Sequence, residues 1–286
     1  MRFVWIPCRA IFALFLLSAA LGCENTGKKS AVLAKAHVEY IAAAALRDVG
    51  EVRRGMPAGA QALRALFSEA APEQPAASDA REALLLTRRK NHDLDSAKST
   101  FFLVAAADGS ILRNNLEQDE MAGKNLFEVY PQSREGLKKD YLEFGGSWEV
   151  ARGVNGRPDS QWLASARILD SEGAPVGLFV SGWSFSSYAY RLEMALRSDI
   201  LGNTESGHKV PLVYVYVIVG KQAYGTPISP VVNGEAIVKL APLSKTTADE
   251  IWTTPLEIER RQFGLALRRL SELGDDVVLA VLRSET

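Results

Sequence analysis

The chain has 286 residues, 47% of them hydrophobic and 23% charged, so it can bury a core and is not a disordered stalk. Its 33 basic and 34 acidic residues leave a formal net charge of −1, which argues against nucleic acid as a partner.

The N-terminus speaks to compartment. Residues 1–9 carry Arg2 and Arg9, and residues 10–22, AIFALFLLSAALG, carry no charge. A basic start, a short apolar core and small residues form a secretion signal. That core is about 13 residues, and a spanning helix needs about 20, so a removed signal is expected rather than a permanent anchor. It ends in Ala20-Leu21-Gly22-Cys23. This resembles the bacterial lipobox, in which a Cys becomes lipid-modified and N-terminal, although Ala20 stands where that pattern usually has Leu. The resemblance implies lipidation at Cys23 and attachment to a bacterial membrane, facing the periplasm or the outside. Ordinary cleavage nearby, leaving a free thiol, is the other reading. The cysteines are Cys8 and Cys23, and Cys8 lies in the signal, so the mature chain has no intrachain disulfide.

Residues 30–52 read as a helix that Ser30 can cap, with Leu33, His37, Tyr40, Ala44 and Leu46 as a loose stripe. Gly55-Met56-Pro57 breaks it, and Pro57 starts a second helix through Phe67. After the polar link APEQPAAS, residues 79–97 are helical again. At Thr100 the character changes. TFFLVAAA is an apolar strand, Asp108-Gly109 a hairpin turn, and SILRNN the return strand. Residues 116–142 read as mainly helical, interrupted by Pro131. Three strands follow, over 147–154, 161–169 and 174–184. Residues 186–201 are helical and GNTESGHK is a linker. A second β-rich unit begins at Pro211 with LVYVYVIVG. A turn and another strand are expected after VVNGEA, and a helix over 246–259 despite Pro255. A final hairpin turns at Gly274-Asp275-Asp276. Four strands are clear in this unit, against five in the first.

The expected fold class is therefore α+β. Long N-terminal helices precede an antiparallel five-stranded sheet and a second, smaller sheet. The expected division is a signal over 1–22, anchor and helices over 23–98, a first domain over 99–202 and a second over 203–286. Two strands, a crossover and three meandering strands behind a long helix is the chain order of the PAS-like sensors called Cache domains. FFLVAAADGSILRNN, DEMAGKNLFE and SARILDSEGAPVGLFVSGWS resemble their local patterns, and the whole is similar to a double Cache arrangement. The resemblance implies an extracellular sensor that binds a small metabolite, without a cofactor. Because the chain ends in a strand, signalling would pass through a partner protein. In dimeric Cache sensors the long helix pairs with a second copy, so a homodimer through it is a further expectation.

Trp148, Arg152, Trp162, Arg167 and Trp183 lie on the three meandering strands and are the candidate ligand-binding residues. An Arg beside aromatics can hold a carboxylate while the rings hold an apolar or amine group. By alternation Trp148, Val150 and Arg152 share one face, as do Leu163, Ser165 and Arg167. The other reading makes the Trp residues core and the Arg residues surface. No catalytic or metal constellation is found. His37, His92 and His208 are far apart, no G-x-S-x-G occurs, and Asp119-Glu120 and Asp275-Asp276 read as solvated acidic pairs. An enzyme is not expected. The alternative to a sensor is an envelope scaffold that binds protein and no small ligand.

Overall fold

A computed structural model of the protein describes residues 9–67, 77–151, 153, 159–204, 209–248 and 250–285, with the backbone alone for 9–25 and 77–78. The Cys23 side chain, Arg152 and His208 lie outside the described residues.

Helix α1 (Arg9–Ala62) runs unbroken past both sheets. Its buried face is Ala34, Val38, Ile41, Ala45, Val49 and Val52, none more than 1% exposed. Steps of three and four place these on one side. The stripe is offset by one residue from the expected one: Tyr40 is exposed, and Leu33, His37 and Ala44 are half-buried. The offset follows from size. Alanines at 34 and 45 let the helix sit close to the strands. Pro57 does not end the helix, because packing holds the turn around it. A Cβ on Gly55 would fall 2.8 Å from Leu94, and one on Gly59 would fall 2.7 Å from the Phe179 ring.

Helices α2 (Ala77–Lys90) and α3 (His92–Ser96) follow, separated at Asn91, which caps α3 by accepting from Leu94 N. The first sheet contains β1 (Phe101–Ala106), β2 (Ile111–Asn114), β3 (Tyr141–Gly146), β4 (Gln161–Leu169) and β5 (Pro175–Ser184). It is antiparallel, in the order β2-β1-β5-β4-β3. The Asp-Gly hairpin forms as expected, with Gly109 at φ 91°.

The crossover is less helical than its sequence suggests. It holds only α4 (Leu126–Val129) and a 3-10 turn over Pro131–Lys138. Asp119 explains this. Its carboxylate is nearly fully buried, accepts from the backbone N–H groups of Asn114, Met121 and Ala122, and pairs with Arg113 at 2.9 Å. These bonds fix a loop where a helix was expected. Strand β3 accordingly starts at Tyr141, and the segment expected as a strand over 147–154 contains the 3-10 turn Glu149–Ala151.

Helix α5 (Phe185–Asn203) leads to the second sheet of β6 (Leu212–Val219), β7 (Gln222–Gly225), β8 (Ile251–Ile258), β9 (Arg261–Arg269) and β10 (Val277–Ser284). Its order, β7-β6-β10-β9-β8, repeats the first. Two expectations are corrected here. VVNGEA opens helix α6 (Val231–Lys239), followed by the short α7 (Pro242–Lys245). The segment expected as a helix over 246–259 contains β8. That strand is at the sheet edge, where a proline leaves no ladder bond unmade.

One core cluster joins α1, α5 and the inward face of both sheets, and separate clusters fill each outward face.

Candidate functional site

The outward face of the first sheet lies under the crossover. Leu103, Leu163, Leu178 and Val180 form its floor. The cap on α4 is Asn125, whose side chain accepts from Phe127 N at 2.9 Å. That cap and Pro131 direct Tyr130 inward. The Tyr130 hydroxyl donates to Gln161 Oε1 at 2.9 Å, and the Trp148 backbone N–H donates to the same oxygen at 2.8 Å. The Tyr130 ring meets Trp148 edge-on at 6.0 Å and Phe144 at 5.9 Å. It needs Gly146, where a Cβ would fall 2.5 Å from the ring. Burial pushes the Tyr130 phenol well up, with the Asp159 charge adding to it. Trp148 is only half-buried, and Lys124 Nζ stands 5.5 Å from its ring centre. An aromatic plane with a cation beside it can hold a small molecule with an apolar or aromatic body and an anionic group.

Next to this cluster is a second, polar one. Asp159 is 4% exposed, between the sheet and the start of α5. Its carboxylate accepts from Gly153 N at 2.8 Å, Ser160 N at 2.9 Å, Ser186 N at 3.2 Å and the hydroxyls of Ser184 and Ser186 at 2.5 Å. Such a set, at the N-terminus of a 19-residue helix, satisfies a buried carboxylate. Ser184 also caps α5, accepting from Ser187 N at 3.3 Å. The cluster reaches the second module. Ser160 Oγ and the Tyr224 hydroxyl are 2.9 Å apart, and Phe185 lies 6.0 Å from the Tyr224 ring.

The expected site residues do not converge. Trp148 stands in the Tyr130 cluster, but on the loop after β3, so the alternation expected with Val150 and Arg152 does not apply. Trp162 and Trp183 sit on the opposite face, in the core against α1 and α5, 2% and 0% exposed. They lie 4.7 Å apart, Trp183 stacks on Tyr188 at 4.5 Å, and its Nε1 donates to Ser99 Oγ at 3.1 Å. The strand alternation that turns Leu163 outward turns Trp162 inward. Arg167 forms an ion pair with Asp140 at the surface, Nε to Oδ1 at 2.8 Å, beside Asp170 and Glu172. Tyr130, Gln161 and Asp159 were not anticipated from the sequence. Asp159 follows a proline ahead of an apolar strand, a pattern common to turns, and nothing in it announces a buried carboxylate.

Two tandem antiparallel sheets of five strands, each with an interrupted crossover and both carried on one long helix, define the class. The fold is the double Cache-like (PAS-like) α+β arrangement. Among solved structures, the chain is similar to the domain of a sensory box/GGDEF family protein from Vibrio parahaemolyticus, with a TM-score of 0.52 at 9% identity, covering 91% of this chain and 98% of that one. The ligand-binding domain of a Campylobacter jejuni chemoreceptor in complex with 4-methylisoleucine matches with a TM-score of 0.49 at 11% identity over 91% of each chain. An extracellular ligand binding receptor from Desulfohalobium retbaense matches at 0.48 and 12% identity over 87% of this chain, which spans 39% of the receptor's length. At these identities the likeness is one of fold. No protein-family profile and no curated protein sequence matches the chain.

Proposed function

We propose that the protein is an exported, lipid-anchored sensor that binds a small metabolite in its first module and acts through a partner protein. The observation that carries this reading is the fold: two Cache-like sheets in tandem on one helix. The half-buried Trp148 with Lys124 over its ring supports a ligand contact at the outward face. The lipobox-like Ala20-Leu21-Gly22-Cys23 supports the anchor, at the end of α1 farthest from the first sheet. Among the described residues no helix is long and apolar enough to cross a membrane. Val32 and Tyr40, 71% and 39% exposed on α1, support pairing with a second copy. The candidate set of Trp148, Arg152, Trp162, Arg167 and Trp183 narrows in this reading to Trp148 and Arg152, with Trp162 and Trp183 as core.

A second reading, a scaffold for protein contact without a small ligand, is favoured by the filling of the outward face by Tyr130, Phe144 and Leu163. Thermal-shift screening of residues 24–286 against amino acids, organic acids and amines separates the two. A bound ligand raises the melting temperature by mass action. The sensor reading predicts a concentration-dependent rise for at least one compound, and a flat response across the whole library sinks it. Lipid labelling of the full chain in a bacterial host should disappear in Cys23→Ser. Labelling that persists would remove the anchor from the proposal.

A further inference from the structure

The second module has a cavity of about 410 Å³ at the open edge of its sheet. The edge strand is β7, four residues long, and its outer side has no strand partner among the described residues. Tyr216 and Ala223 line the strand side, and Val231 and Val238 on α6 line the other. Glycines bring these elements together at the base. A Cβ on Gly234 would sit 3.2 Å from Ala223 Cβ, and one on Gly225 would sit 2.6 Å from the Tyr216 ring. The interior is therefore mainly apolar, and its size falls in the range of small-molecule sites, about 300–1,000 Å³. Val231, which lines the cavity from α6, is 58% exposed.

The rim carries one charge of each sign. Lys221 is at the tip of the β6–β7 turn and Glu235 is on α6, next to the Gly234 contact. Neither side chain has an ion pair or hydrogen bond among the described residues. We infer that this cavity is a second ligand site, distinct from the Trp148 cluster, and that it takes a small zwitterion with an apolar body. The apolar body lies against Tyr216, Ala223 and Val238. The anionic end faces Lys221 and the cationic end faces Glu235. The site is also wired to the first module. Tyr224 and Ser186 both line it, and Tyr224 hydrogen-bonds to Ser160 while Ser186 donates to Asp159. A ligand there touches the polar cluster that joins the modules.

The test uses the full chain and the aliphatic and aromatic α-amino acids, together with glycine betaine, as probes in calorimetric titration. Val231→Trp places an indole across the mouth at an exposed position, and Lys221→Glu reverses the charge meant for the anionic end. For at least one probe, each should weaken binding at least tenfold while Trp148→Ala leaves it unchanged. Binding that responds to Trp148→Ala and to neither Val231→Trp nor Lys221→Glu overturns this inference and leaves the first-module site standing. Absence of binding by every probe overturns it too.

Discussion

The two modules are built to one plan and finished differently. Both sheets run in the order of the second hairpin strand, the first, then the last three in reverse, and both lay one face on α1. The first module packs its outward face with aromatics, Tyr130 and Phe127 from a crossover shaped by Asp119 and Pro131 and Phe144 from β3, and leaves Trp148 half-buried at the edge. The second leaves its outward face under α6 and α7 with an open cavity at β7. Strand order therefore sets where a pocket can form, and the crossover decides how open it is. The shared helix makes the comparison strict, because one element serves as the inner wall of both.

The largest expected effect is in the first module. Trp183→Ala removes a fully buried indole that packs on Trp162 and Tyr188, and should cost about 3–5 kcal/mol in denaturant unfolding. A cost near zero would mean that the inward face is loosely packed, and the parallel between the modules would fail. In the second module the test is Gly264→Ala. The added Cβ would fall 2.0 Å from the Ala31 backbone nitrogen, which no rotamer can relieve, so about 1–3 kcal/mol should be lost. A harmless Gly264→Ala would show that α1 is not held tightly on β9.

The helix also carries opposite acid responses at its two contacts. At the first module Asp48, whose carboxylate accepts from the Tyr188 hydroxyl at 2.9 Å, is pushed up to about 6, first by burial and then by nearby Glu51, against the pull of Tyr188, Lys98 and Arg47. The folded state then binds more protons than the unfolded chain between about pH 4 and 6, so this group loses stability as pH rises through that window. At the second module His37 is lowered to about 4, first by burial and then by Arg283, with Asp199 and Glu285 opposing. Here the unfolded chain binds more protons between about pH 4 and 6.5, so stability is gained as pH rises. Asp48→Asn should steepen the rise of melting temperature from pH 4 to 6, and His37→Gln should flatten or reverse it. Identical pH profiles for both variants and the wild type would remove the contrast.

The smallest effect concerns the join. Tyr224→Phe loses the hydroxyl that meets Ser160 and donates to Gln222, and should cost about 1 kcal/mol. Its sharper readout is hydrogen exchange at residues 159–162 of the first module, which should quicken. Unchanged exchange there would uncouple the two modules.

Much of the fold was legible because it rests on local signals. The apolar run from Phe101, the Asp108-Gly109 turn and the alternating LVYVYVIVG each specify their element without help. What misled was chemistry that depends on a neighbour. The turn expected after VVNGEA is instead the middle of α6, whose Gly234 lets it approach Ala223. Pro255 reads as a helix irregularity until β8 is known to be an edge. Residues 116–142 have helical composition, but the loop bonds of Asp119 and the turn at Pro131 override it. The candidate site was least legible. Tryptophan and arginine were sought as ligand contacts, and two of those tryptophans serve the inner core. The polar centre that the fold assembles, Tyr130 with Gln161 and Asp159 with three serines and Gly153, comes from segments with no shared motif.

The central claim, that the first module binds a small molecule at its outward face, is met most directly by isothermal titration. The compound that most raises the melting temperature of Val231→Trp over residues 24–286, in which the second-module cavity is blocked, is titrated into that protein and into its variant that also carries Trp148→Ala. One site per chain, weakened at least tenfold by Trp148→Ala, is the predicted result. Equal affinity for the two proteins would contradict it.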